Sequence, residues 1–209
     1  MDEERATSVK TGSRGGPGSA PSARLRVIGL GGSLRAGSAS LLALHAALDA
    51  AAAAGAEVEA LDVRELNLPL YSPEGAPALD SPGVVRLVEV ASSAGAMIWS
   101  SPLYHGSVSG AFKNALDWLQ LLADRQPPYL TGTPVGLIAA AGGVQGLQAI
   151  NTMEFVVRAL RGWTVPLVVP IASAYQAFAA NGTARDPGLQ RQLADLGHEV
   201  VAAARRFAA

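Results

Sequence analysis

From residue 25 onward, short runs of consecutive apolar residues alternate with longer stretches in which apolar residues recur every three or four positions. The first pattern is that of a strand covered on both faces, the second that of an amphipathic helix. Strand-like runs fall at residues 25–30, 57–63, 95–101, 133–140 and 165–170. Helix-like runs fall at residues 39–54, 82–92, 109–123, 144–161 and 187–207. The first helix carries Leu41, Leu44, His45 and Leu48 on one face, which makes His45 a structural residue, and it stops at Gly55, a natural C-terminal cap. Pro82 suits the first turn of the second helix. Five βα units with nearly all-apolar strands predict an α/β fold: a parallel sheet between two helical layers, built with right-handed crossovers.

Residues 25–209 are of a length suited to one domain. Residues 1–24 show no periodicity and are dominated by Gly, Ser, Pro, Ala and Arg from Thr11 on, so they read as a disordered, solvated tail. The acidic start Asp2-Glu3-Glu4 and the lack of an apolar segment argue against a secretory signal and for a cytoplasmic protein. No run reaches the roughly 18 uninterrupted apolar residues of a membrane helix, so no membrane partner is expected.

Two loops carry the candidate chemistry. Gly31-Gly32-Ser33-Leu34-Arg35-Ala36-Gly37-Ser38-Ala39-Ser40 lies between the first strand and the first helix. Backbone N–H groups at a helix start, hydroxyls and a guanidinium all donate to an anion, so this loop suits a phosphate. It lacks the Lys-Ser/Thr of a P-loop. Gly29 and Gly31 begin a dinucleotide fingerprint, but Leu34 breaks the third glycine and Asp62 lies too far along. A mononucleotide therefore fits better than a pyrophosphate, while a plain helix cap with flexible glycines accounts for the same residues.

The second loop, Ser101-Pro102-Leu103-Tyr104-His105-Gly106-Ser107, follows the third strand and runs into the helix that begins near Ser109. A third segment, Ala140-Ala141-Gly142-Gly143, follows the fourth strand; its small residues allow close backbone approach to a flat ring, or simply a tight turn. Five strands with a phosphate loop after the first match the flavodoxin-like order 2-1-3-4-5, whose switch point lies between strands one and three, where the first two loops sit.

Composition narrows the alternatives. A formal net charge of −1 argues against a nucleic-acid partner. With no cysteine, disulfides, thiolate nucleophiles and zinc–thiolate sites are excluded, and three dispersed histidines argue against a metal site.

Gly32-Ser33-Leu34-Arg35-Ala36-Gly37-Ser38, Pro102-Leu103-Tyr104-His105-Gly106-Ser107, and Lys113-Asn114 followed by Leu116-Asp117-Trp118 together resemble the NADPH-dependent FMN reductase family of flavin, quinone, azo and chromate reductases. The likeness spans nearly all of residues 25–170. It implies bound FMN, reduction by NADPH or NADH, and a homodimer or tetramer. It implies ping-pong transfer of hydride through N5 of the flavin, with no catalytic side chain, to a small-molecule acceptor such as a flavin, a quinone, an azo compound or a metal oxyanion.

By that resemblance Ser33, Arg35, Ser38 and Ser40, with Ala39 between them, would hold the phosphate. Pro102, Leu103, Tyr104, His105 and Gly106 would wrap the ring, and Ala141, Gly142 and Gly143 would line its pyrimidine side. Leu103 stands where the family often has Glu, and His105 where it often has Asn. Packing or capping is the role expected for Lys113, Asn114, Asp117 and Trp118; Trp163 and Tyr175 are candidate subunit contacts. The helix from Ser109 to Leu122 offers Phe112, Leu116, Leu119 and Leu122 as an apolar face that a second copy would cover. The competing functions are a flavodoxin-type electron carrier and a non-catalytic flavin-binding regulator.

Overall fold

The structure, a computed structural model, describes residues 24–74 and 79–208, so all but the last residue of the segment read as a tail lies outside the described residues. In chain order the elements are β1 (Arg26–Gly31), α1 (Ala39–Ala53), β2 (Glu57–Asp62), α2 (Val63–Leu66), α3 (Pro82–Ser92), β3 (Ala96–Tyr104), β4 (Ser107–Val108), α4 (Gly110–Trp118), a 3-10 turn (Leu119–Leu122), β5 (Pro134–Ala140), α5 (Gly146–Ala159), β6 (Trp163–Ile171) and α6 (Pro187–Phe207). The sheet runs β2-β1-β3-β5-β6, all parallel, with β4 paired antiparallel to the end of β3. Without the two-residue β4, this is the expected order 2-1-3-4-5, a flavodoxin-like sandwich.

The central strands are buried along nearly their whole length because helices cover both faces. Adjacent residues point to opposite layers. Val27, Ile98 and Ile138 pack under α1 and α6; Ile28, Leu30, Met97, Trp99 and Leu137 pack under α3, α4 and α5. Edge strand β2 instead carries Glu57 and Glu59, which pair with Arg26 at 3.5 and 2.9 Å; Arg86 also pairs with Glu59. No helix among the described residues is long and apolar enough to cross a membrane.

Several elements differ from the periodicity reading. The helix expected over 109–123 is an α-helix only to Trp118 and then tightens into the 3-10 turn. The strand expected to end at 101 continues to Tyr104, because Leu103 and Tyr104 pair with Val108 and Ser107 across a two-residue turn. His45 is exposed rather than structural: α1 buries Ala43, Leu44, Ala47, Leu48 and Ala51, and the ring lies outside that stripe.

The apolar face assigned to subunit pairing is already used within the chain. Phe112, Ala115, Leu116, Trp118, Leu119 and Leu122 are all buried against the sheet and α3. Helix α4 plus its 3-10 extension rotates these residues around more than one side, and the β2–α3 connection closes over them. Asn114 Nδ2 and Trp118 Nε1 both donate to the Pro69 carbonyl, each at 2.9 Å, and the Tyr71 N–H donates to Asn114 Oδ1 at 2.8 Å. Tyr71 completes the closure with an edge-on contact to Trp118, ring centroids 5.2 Å apart. Asn114 and Trp118 thus have the packing role expected of them. Large apolar side chains are exposed elsewhere, among them Val144, Leu147 and Phe155 along α5 and the loop before it.

Helices α1 and α6 cross with no room at Gly197, where a Cβ would lie 2.2 Å from the Ala47 carbonyl oxygen. Overpacking of this kind typically costs about 1–3 kcal/mol. Gly197→Ala is expected to lower the urea midpoint of unfolding accordingly, with the slope unchanged; an unchanged midpoint would show that the two helices separate freely.

Candidate functional site

The carboxyl ends of β1 and β3 meet at the switch point, and a set of serines joins them. Ser38 caps α1, its Oγ accepting from the Leu41 N–H at 3.3 Å and lying 3.1 Å from Ser40 Oγ. Ser100 Oγ donates to the Ser40 carbonyl at 2.7 Å, and the Gly32 N–H donates to the Ser100 carbonyl at 2.8 Å. Ser109 caps α4 by accepting from the Phe112 N–H at 3.1 Å, and its Oγ donates to the Gly32 carbonyl. Ser101 Oγ accepts from the Ser109 N–H at 3.1 Å. Ser33, Ser38, Ser40, Ser100, Ser101 and Ser109 are all buried. Hydroxyls fit here because each donates one bond and accepts others, satisfying buried backbone groups that an aliphatic side chain would leave unpaired.

Beyond Tyr104 the chain reverses through His105 and Gly106, both at positive φ (50° and 84°). Two positive φ values between paired strand ends make a type I′ hairpin, which matches strand twist and favours Asn-Gly; His takes the first position here. The hairpin holds Tyr104 half in solvent, 53% exposed.

These elements enclose an open cavity of about 510 Å³. Of the residues expected from the sequence, Ser33, Arg35, Ser38, Ala39 and Ser40 line it from the first loop, Pro102, Leu103 and Tyr104 from the second, and Gly142 from the third. His105, Gly106, Ala141 and Gly143 do not line it. His105 and Gly106 form the turn of the hairpin, and Ala141 is buried. Ala140 takes the lining position next to Gly142. Arg35 is the one charged side chain among the described lining residues, which include no acid.

A fourth wall carried no motif. It comes from the segment between β6 and α6, through Ala174, Tyr175, Phe178, Ala179 and Ala180. The Ala174 N–H donates to the Ala141 carbonyl at 2.9 Å and the Ala141 N–H to the Ile171 carbonyl at 2.8 Å, which ties this segment to the third loop. A turn closed by the Ala179 N–H on the Thr183 carbonyl, with Gly182 at φ 84°, folds it back over Leu42 of α1. The Asn181-Gly182 pair is a turn signal in the sequence, but nothing there shows which way the turn faces.

A family model described as NADPH-dependent FMN reductase matches residues 25–176. The chain is 32% identical over 178 residues to the NADPH-dependent FMN reductase ArsH of Rhizobium meliloti (strain 1021), covering 85% of this chain and 71% of that one. It is 35% identical over 128 residues to an FMN-dependent NADPH-azoreductase of Staphylococcus aureus, covering 60% and 64%. Among solved structures, FerB, a flavoenzyme NAD(P)H:(acceptor) oxidoreductase from Paracoccus denitrificans, superposes with a TM-score of 0.65 over 88% of this chain and 99% of its own at 23% identity, a likeness of fold.

Ser109→Ala removes the cap of α4 and leaves the buried Gly32 carbonyl without its donor. The expected loss is about 2 kcal/mol of unfolding free energy, read by urea titration. A loss below about 0.5 kcal/mol would mean that the two loops hold their positions without this bond.

Proposed function

This chain belongs to the NADPH-dependent FMN reductase family, and on that premise we propose that it holds one FMN in the 510 Å³ cavity and uses NAD(P)H to reduce small organic acceptors in a ping-pong cycle. Membership makes the protein an oxidoreductase of FMN and NAD(P)H. The acceptor class and the order of events are the proposal.

The observation that carries it is the donor set at one end of the cavity. Ser33 and Arg35 lie in the loop that leads to Ser38, the N-cap of α1, and Ser40 lies in its first turn, where backbone N–H groups have no partners within the helix. A single cationic loop of this kind suits one terminal phosphate monoester. At the other wall a Cβ placed on Gly142 would meet nothing within 4 Å, so the backbone there can lie directly against a flat ring. The residues present therefore fit FMN. When bound, FMN supplies the hydride-accepting ring nitrogen and stores two electrons.

The side chains bind and orient. Arg35 and the serines would fix the phosphate, and the Pro102–Tyr104 strand end with Gly142 would fix the ring plane. The lining is exposed at Tyr104 and Tyr175, where NAD(P)H and acceptor would enter in turn. Assembly as a homodimer belongs to the same reading, supported by the exposed Val144, Leu147 and Phe155 rather than by α4.

Heat release and chromatography of the cofactor are expected to yield FMN, and double-reciprocal plots of NADPH oxidation against quinone are expected to be parallel. FAD as the main species, or intersecting lines, would overturn the reading. Turnover with no small acceptor at all would leave the electron carrier in its place.

Arg35→Ala and Ser38→Ala each delete a donor to the phosphate. Each is expected to weaken FMN binding by about 1–3 kcal/mol, roughly 5- to 150-fold, with the turnover of FMN-saturated enzyme little changed. Fluorescence titration of the apoprotein with FMN measures it, and unchanged affinity in both variants would place the phosphate elsewhere.

A further inference from the structure

The residues lining the cavity differ widely in exposure. Ser33, Ser38, Ser40 and Pro102 are buried before any ligand arrives, as befits a preformed cradle. Tyr104 and Tyr175 are 53% and 74% exposed, and they stand on different walls: the β3–β4 hairpin and the segment after β6. An aromatic ring this exposed, at the edge of a cavity with a single charged side chain, leaves most of a flat apolar face uncovered.

The Tyr175 backbone is not left to wander. Ser173, two residues before it, is held at φ 47°, a left-handed conformation that a non-glycine residue adopts only at a cost. Ala174 is hydrogen-bonded to the Ala141 carbonyl, and the Gln176 N–H donates to the Ser173 carbonyl at 2.8 Å. The chain accepts a strained residue and spends two hydrogen bonds on a tight turn that presents one exposed ring to the cavity.

We propose that Tyr175 is a specificity-determining residue that stacks on planar aromatic acceptors at the mouth of the site. The inference rests on the reading that acceptors enter this cavity. Offset stacking of a phenol ring on a quinone or a similar flat ring favours such acceptors over compact inorganic oxidants. The ring lies at the mouth, outside the buried cradle, so it selects the acceptor without holding the cofactor.

The test compares holoenzyme of wild type, Tyr175→Ala and Tyr175→Phe with two acceptors, 2-methyl-1,4-naphthoquinone and ferricyanide. In ping-pong turnover, kcat/KM for the acceptor reports the oxidative half-reaction alone. Tyr175→Ala is expected to lower kcat/KM for the quinone about 3- to 10-fold, and Tyr175→Phe to restore it. Ferricyanide, which has no ring to stack, is expected to react equally well with all three. The affinity for FMN is expected to stay within twofold of wild type. An unchanged quinone constant in Tyr175→Ala overturns the proposal, as does an equal fall for both acceptors. A large loss of FMN affinity also overturns it, because that would put the ring on the cofactor. Wild-type enzyme that oxidises NADPH with neither acceptor would refute the proposed function itself, a result separate from any difference between the variants.

Discussion

Everything at the carboxyl edge of this sheet depends on how the β1–α1 loop is tied to the end of β3 and the start of α4. The tie consists of the Ser100 hydroxyl on the Ser40 carbonyl, the Gly32 amide on the Ser100 carbonyl, and the Ser109 hydroxyl on the Gly32 carbonyl. Each bond connects two backbone segments far apart in sequence, and each is buried. An unmade hydrogen bond in such a place leaves a desolvated polar group, so the arrangement is all-or-none rather than adjustable. Close packing enforces the same spacing: a Cβ on Gly32 would lie 2.6 Å from the Phe112 ring. The β1–α1 loop and the loop after β3 are thereby one rigid unit.

That rigidity contrasts with the outer rim. The hairpin turn at His105-Gly106 and the turn at Ser173 use left-handed backbone to present Tyr104 and Tyr175. A cofactor that stays bound gains from a cradle whose entropy cost is met on folding. Under the proposed function, co-substrates that come and go would meet exposed rings instead. The described lining residues include no carboxylate to compete with Arg35, which suits the phosphate proposed there.

The α4 region shows how a motif and its meaning separate. Lys113-Asn114 and Asp117-Trp118 carry part of the family likeness, yet Asn114 and Trp118 hold the Pro69 carbonyl and Lys113 pairs with Asp117 on the surface at 2.6 Å. Their work is to close the β2–α3 connection over α4. Phe112, Leu116 and Leu119, whose spacing in the sequence suggested a face left over for a second copy, are buried in the core between the sheet and the neighbouring helices. Helical periodicity reports that a face is apolar; it does not report what covers it.

The sheet order, the two helical layers and the placement of Ser33–Ser40 and Pro102–Tyr104 at one switch point were legible from the chain itself. Parallel strands buried on both faces leave an apolar run that does not depend on neighbours, and handedness then allows few ways to connect them. What needed the folded chain was every feature made by contact between distant segments. These are the exposure of His45 beside a leucine stripe, the hairpin whose turn holds His105 and Gly106, and the burial of Ala141. The largest is the wall built by residues 174–180. Its sequence has no period and no motif, only a turn pair, so its direction is decided by backbone bonds to Ala141 and by contact with Leu42. Local sequence encodes hydrophobic faces and turn geometry; which loop reaches which cavity is set by hydrogen bonds and packing between segments that the chain alone does not bring together.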